Sequence, residues 1–280
     1  MRFSKYHGIG NDFVMLADPN DELEISAEMA ARLCDRRFGV GADGVIRVAP
    51  GTDGADLLMD YRNSDGSVGE MCGNGIRCLA VFAHEEGLAN KSELSVATGA
   101  GRKILTVLDG GRVKVDMGPP IFEPSQIPIV WDGDPLHVKL ETDDEVLEAA
   151  CVSMGNPHAV LFVDDPATAP VTTLGPKLER SSMFPKGANI EFARVVSTDR
   201  VEMRVWERGS GETLACGTGA CAVAVVAREI GATEELVTIA LPGGDLDIEW
   251  HGSTSDERPV FMTGPTHKSY EGELDLDSYR

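Results

Sequence analysis

"GEMCGNGIRC" (69–78) and "TLACGTGACA" (213–222) make the same unusual statement twice. Each sets a cysteine before Gly-x-Gly and follows it with a small or apolar run. An offset of 144 residues lays "NSDGSVGEMCGNG" (63–75) over "ERGSGETLACGTG" (207–219) without a gap. Cys72 then meets Cys216, Gly73 meets Gly217 and Gly75 meets Gly219. Nearly the same offset puts "GNDF" (10–13) on "GNPH" (155–158), with Asn11 on Asn156. It also puts "RLCDRRFGVGAD" (32–43) on "KLERSSMFPKGAN" (177–189). Three landmarks in the same order mark an internal duplication, and a long-period repeat decides the fold class.

The local pattern within each half is mixed. "VKVDMG" (113–118), "EFARVV" (191–196), "VEMRVWER" (201–208) and "LDIEWHG" (246–252) alternate apolar and polar residues, as half-buried strands do. "ISAEMAARLCDRR" (25–37) reads as a helix, with Ser26 as N-cap and Glu28 in the first turn. "CLAVFAHEEG" (78–87) and "CAVAVVAREIG" (221–231) are helical in character. "MGPPIFEPSQIP" (117–128) has the proline content of a linker. The expected fold is α+β rather than a doubly wound nucleotide-binding sheet. It consists of two similar, pseudo-symmetric domains, each a mixed, largely antiparallel sheet wrapped around helices. The boundaries expected are 1–117, completed by a C-terminal strand at about 264–280, and 118–263. A cleft between two such domains is the expected active site.

Charge and cysteine usage narrow the function. The chain has 280 residues, 46 acidic against 25 basic, for a formal net charge of −21. That balance opposes nucleic-acid phosphates and anionic lipid. The acids are dispersed, with small clusters at "TDDE" (142–145) and "DDP" (164–166). They read as a solubility surface, and more sharply as adaptation to a salt-rich cytoplasm. No apolar run is long enough to span a bilayer, and "MRFSKYHGIGNDF" (1–13) lacks the apolar core of a signal peptide. The expected location is the cytoplasm. There thiols stay reduced, so Cys34, Cys78, Cys151 and Cys221 read as packing residues rather than disulfide partners. The spacings Cys72/Cys78 and Cys216/Cys221 are not those of a metal site, and no metal is expected.

Cys72 and Cys216 read differently. The glycines that follow each allow a tight turn into a helix, which sets the thiol and several free N–H groups at a helix N-terminus. Such a site holds an anion and can lower a thiol's pKa from about 8.5 to roughly 3.5–7.5. Two such units can meet a substrate from opposite sides, one thiolate removing a proton and one thiol returning another. The result is inversion at carbon, with the helix termini stabilising charge on an attached carboxylate.

The motifs "HGIGNDF" (7–13), "MCGNGIRC" (71–78), "SMGNPH" (153–158), "ANIEF" (188–192), "ERGSGETLACGTGA" (207–220), "LPGGDL" (241–246) and "FMTGP" (261–265) together resemble the diaminopimelate epimerases. The resemblance runs from residue 1 to about 270 in the family's order. It implies a cofactor-independent amino-acid epimerase that interconverts LL- and meso-diaminopimelate for lysine synthesis, without pyridoxal phosphate. Cys72 and Cys216 are then the acid/base pair. Gly73, Asn74, Gly217 and Thr218 hold the reacting carboxylate. Asn11, Asn63, Asn156, Asn189, Glu207 and Arg208 bind the amino and carboxylate groups, and His158 and Glu207 tune the cysteines. Gly44 departs from the family members that carry Gln there. The partner expected is a small molecule, not a nucleic acid or a membrane, and a homodimer is compatible with this reading.

Three other readings compete. Proline and hydroxyproline racemase-type enzymes share the two-cysteine plan, but usually carry His at the position of Asn74 and an Asp-rich stretch in place of "ERGSGET". Asn74 and Arg208 favour a substrate with a second charged end. A thiol–disulfide protein could use the same two cysteines, although a disulfide between them would inactivate an epimerase. A non-catalytic binder would not need both.

Overall fold

The computed structural model describes residues 1–142 and 145–279, so Asp143 and Asp144 of the "TDDE" cluster lie outside the described residues. The chain divides into two compact units. The first is Met1–Val115 together with the chain from Thr263, and the second is Asp116–Met262.

The first unit contains β1 (Arg2–Gly8), β2 (Asn11–Ala17), α1 (Ala27–Cys34), β3 (Gly44–Pro50), β4 (Leu57–Asn63), β5 (Val68–Gly69), α2 (Gly73–Glu85), β6 (Glu93–Thr98), β7 (Gly101–Val107) and β8 (Arg112–Gly118). β8 runs a few residues past the unit boundary. The second unit contains β9 (Val138–Glu141), β10 (Val146–Ser153), β11 (Pro157–Phe162), α3 (Val171–Glu179), β12 (Asn189–Ser197), β13 (Arg200–Glu207), β14 (Gly211–Thr213), α4 (Gly217–Glu229), β15 (Leu236–Leu241) and β16 (Gly244–Glu249). β17 (Val260–Pro265) returns the chain to the first unit, where β18 (His267–Glu273) pairs antiparallel with β1.

The duplication is visible in the register. β2 and β3 are parallel with Phe13 opposite Gly44, and β11 and β12 are parallel with His158 opposite Asn189. β3–β4 and β12–β13 are antiparallel, with Val45 opposite Arg62 and Ile190 opposite Trp206. β5 and β14 each add a short antiparallel partner, with Arg62 opposite Val68 and Trp206 opposite Glu212. β6 and β15 then pair parallel to β4 and β13. Each unit is therefore a mixed, mostly antiparallel sheet with parallel pairs in equivalent places, as the repeat implies.

Each sheet curls round one helix. α2 packs on β1, β2, β3 and β7, which come from both ends of the first unit's strand order. α4 packs on β10 through β13, β15 and β16. Both helices are buried on nearly every side, so apolar residues surround them instead of forming one stripe. α1 and α3 cover the outer faces, where Leu33 and Leu178 enter separate apolar clusters.

Two local expectations are corrected. α1 has its Ser26 cap, whose Oγ accepts from Met29 N at 3.1 Å, but the helix ends at Cys34, short of residue 37. Asp35 Oδ1 accepts from the backbone N–H groups of Arg37 and Phe38, at 2.7 and 2.8 Å, and turns the chain out of the helix. The proline-rich stretch 117–128 is not a free linker. Ile121 bridges to Ser153 with hydrogen bonds in both directions, and Ile127 is fully buried in the second unit's core.

Candidate active site

In the first unit Cys72 is the residue immediately before α2 and has an extended backbone. Its carbonyl accepts from Ile76 N at 2.8 Å, which starts the helix. Its thiol lies 3.4 Å from Asn11 Oδ1, as a donor. Asn74 Nδ2 donates to the same oxygen at 3.2 Å. Asn11 Nδ2 in turn donates to Asp43 Oδ2 at 2.8 Å, which fixes the amide's orientation. Asp43 belongs to a charged network with Arg36, Asp12 and the buried Lys5. Burial pushes the Asp12 carboxyl up, but Arg36 and Lys5 outweigh it and hold it well below the usual carboxylate range. Beneath the helix, fully buried Arg77 donates to Gly73 O and to Asn74 Oδ1, both at 3.0 Å.

Asn63 closes the turn into β5, with Nδ2 donating to Ser67 Oγ at 3.0 Å. Gly44 lies opposite it across β3–β4. A Cβ at Gly44 would sit 2.6 Å from both Arg62 O and the Tyr61 ring, so this backbone admits no side chain there.

In the second unit Cys216 precedes α4 with the same extended backbone, and its sulfur accepts from Gly219 N at 3.4 Å. Thr218 Oγ1 is 3.6 Å from the sulfur. Thr218 accepts from Asn156 Nδ2 at 3.3 Å, and Asn156 Oδ1 lies 2.9 Å from His158 Nε2. The other ring nitrogen, Nδ1, is 2.6 Å from Glu191 Oε1, and neither side chain is exposed. Glu207 accepts a short hydrogen bond from Thr213. Asn189 donates to Pro157 O and accepts from Arg208 N, both at 2.9 Å, which pins the start of the Arg208 loop. The Arg208 guanidinium donates to Lys186 O at 3.3 Å.

The electrostatics at Cys216 run against the effect of the helix terminus. Burial, followed by the nearby Glu207 and Glu191 carboxylates, pushes this thiol well above its ordinary range. Thr218 and the Gly219 N–H oppose that shift but do not reverse it. A helix N-terminus alone would have lowered it. Burial also raises the Glu207 carboxyl, against the pull of Thr213, Cys216 and His158. The other four cysteines, Cys34, Cys78, Cys151 and Cys221, are buried and unbridged. Among the described residues no three His, Cys, Asp or Glu side chains are placed to share a metal ion, and no helix is long and apolar enough to cross a membrane.

Glu191 and Asp43 were missed in the sequence. Glu191 sits inside "ANIEF", where strand alternation turns an acid toward solvent. The first five residues of β12 are all buried, and the acid with them. The available signal was one carboxylate in an apolar run with a histidine on the neighbouring strand.

The chain belongs to a class of duplicated α+β folds, here with a cysteine heading the central helix of each repeat. At the level of fold the chain resembles a PhzF-family phenazine biosynthesis protein from Bacillus anthracis, with TM-score 0.72 and 18% identity over 98% of each chain. It likewise resembles a hydroxyproline epimerase from Agrobacterium vitis, with TM-score 0.71 and 14% identity, over 98% of this chain and 90% of that one. Within this class the chain belongs to the diaminopimelate epimerase family, whose sequence model matches residues 3–123 and 150–269. It is 46% identical to the diaminopimelate epimerase of Synechococcus elongatus, over 99% of each chain. It is 48% identical to that of Moorella thermoacetica, over 99% of this chain and 100% of the relative.

Proposed function

We propose that this protein epimerises LL-diaminopimelate to meso-diaminopimelate by a two-thiol mechanism, without pyridoxal phosphate or metal, as a cytoplasmic step of lysine synthesis. The observation that carries this is the placement of Cys72 and Cys216 at equivalent helix N-termini, with a fixed amide beside one and a buried polar chain leading to the other.

The chemistry requires one sulfur without a proton and one with it. Cys216 is suited to hold its proton, because burial and two carboxylates penalise its thiolate. It is the acid in the direction in which Cys72, as thiolate, removes the α-proton. Reversal exchanges the roles. As the α-carbon becomes carbanion-like, charge spreads onto its carboxylate. The N–H groups at Gly73, Asn74, Gly217 and Thr218 are the donors for that charge. The far end of the substrate is an amino acid as well. Asn11, Asn63, Asn156, Asn189, Glu207 and Arg208 supply amides, a carboxylate and a guanidinium for the amino and carboxylate groups of the two ends.

Proton NMR in D₂O with reduced protein and LL-diaminopimelate tests the reading. Deuterium is expected at one α-carbon as the meso form appears, and conversion is expected to stop in both C72A and C216A. Exchange with proline or hydroxyproline but not with diaminopimelate would keep the mechanism and move the substrate. No exchange with any of them sinks the proposal.

A further inference from the structure

We propose that Glu191 is a positioning residue for the Cys216 centre, anchoring through His158, Asn156 and Thr218 a hydrogen-bonded relay that orients the reacting thiol. This rests on the two-thiol reading above and adds a residue to it.

The relay is continuous. Glu191 Oε1 to His158 Nδ1 is 2.6 Å, His158 Nε2 to Asn156 Oδ1 is 2.9 Å, Asn156 Nδ2 to Thr218 Oγ1 is 3.3 Å, and Thr218 Oγ1 to Cys216 Sγ is 3.6 Å. Both ring nitrogens face oxygens, which sets the plane of the ring and ties it to the Asn156 amide. Asn156 then has its Nδ2 turned to Thr218. Glu191 is the partner that holds the ring from its Nδ1 side, as Asn156 does from Nε2.

The duplication supplies an internal control. The strand register places Phe13 where the second unit has His158, and Ile46 where it has Glu191. A Cβ at Gly75 would meet the Ile46 side chain at 2.7 Å and Phe13 at 3.3 Å, whereas one at Gly219 would meet Glu191 Oε1 at 2.9 Å. The same spot under the helix turn is therefore apolar in one unit and ionisable in the other. In the first unit Asn11 is oriented from a different direction, by Asp43. A buried carboxylate and imidazole are costly where a phenylalanine and an isoleucine suffice for packing. Glu191 Oε2 adds to that cost, being buried with no hydrogen-bond partner. Packing does not explain the pair, and a role at Cys216 does. The titratable side chains facing this centre are Cys151 from β10, His158 from β11, Glu191 from β12 and Glu207 from β13.

The test uses E191Q and E191D in the full chain, with two readouts. One is the rate of α-proton exchange in D₂O, split into kcat and KM. The other is the pH dependence of Cys216 alkylation by iodoacetamide, read by mass spectrometry. E191Q is expected to lose roughly 10²-fold in kcat, and its Cys216 alkylation midpoint is expected to fall as the carboxylate's repulsion disappears. E191D keeps the charge but not the reach. It is expected to lose kcat while the midpoint stays in place. Wild-type kcat in E191Q, or an unmoved alkylation midpoint, would overturn the proposal. Should neither variant fold, NMR of the unsubstituted protein decides. A downfield, slowly exchanging His158 Nδ1 proton is expected, and its absence breaks the relay at its first link. If wild-type protein exchanges no substrate, the function reading fails, while the alkylation profile still reports on Glu191.

Discussion

At the scale of single residues, the glycine behind each cysteine decides how close the machinery can come. Gly219 is a glycine because a Cβ there would lie 2.9 Å from Glu191 Oε1 and 3.2 Å from Cys216 Sγ. Neither neighbour is free to move: one is locked to His158 and the other heads the helix. G219A is expected to cost about 1–3 kcal/mol of stability, typical of overpacking, and to lower kcat more than it raises KM. Urea unfolding with steady-state kinetics checks both, and a variant of wild-type stability and rate would refute the close-contact argument. The two cysteines were legible because turn glycines and the repeat single them out, whereas Asn11, Asn156 and Asn189 entered through the family resemblance. Glu191 and Asp43 were not legible, because their roles depend on which strand lies beside which. That register comes from long-range pairing, not from local pattern.

At the scale of elements, the helices that carry the cysteines were the easiest to read, since a small, apolar run after Gly-x-Gly admits little else. Their burial on all sides was not legible, because it follows from sheets that curl round them. Alternation located β8, β13 and β16, each half-buried over much of its length, and also β12, whose first five residues are all buried instead. The end of α1 was misread, because Asp35 competes with the helix by capturing two backbone N–H groups, and propensity alone does not register that. The start of α1 is a firmer case. Ser26 Oγ satisfies one of the free N–H groups of the first turn. S26A is expected to destabilise the protein by about 1 kcal/mol with no change in substrate exchange, since α1 is remote in sequence from both cysteine motifs. Urea unfolding measures the first quantity and D₂O exchange the second. An S26A protein with lost exchange and intact stability would place α1 in the active-site machinery.

For the whole molecule, the outstanding property is the net charge of −21, which no individual ion pair explains. Much of the charge is paired locally. Arg47 alone meets Asp18, Asp21 and Asp60, and Lys268 meets Glu85 and Glu271. With 46 acids and 25 basic residues, however, pairing leaves a large excess of negative charge. Like charges on a compact surface repel, and unfolding relieves that repulsion by spreading them out. Salt screens it, since the Debye length shrinks from about 30 Å at 0.01 M to about 3 Å at 1 M. The exposed ion pairs are weakened by the same screening, but each contributes only about 0–1 kcal/mol. The repulsion, summed over the excess acids, therefore dominates the response. The melting temperature is expected to rise between about 10 mM and 1 M KCl, with most of the gain below the concentration at which screening saturates. Sodium chloride at equal ionic strength should match potassium chloride if screening is the cause, because screening depends on charge and concentration and not on the ion's identity. A melting temperature that falls with salt would mean that the ion pairs outweigh the repulsion, and the acidic surface would then be no adaptation to a salt-rich interior.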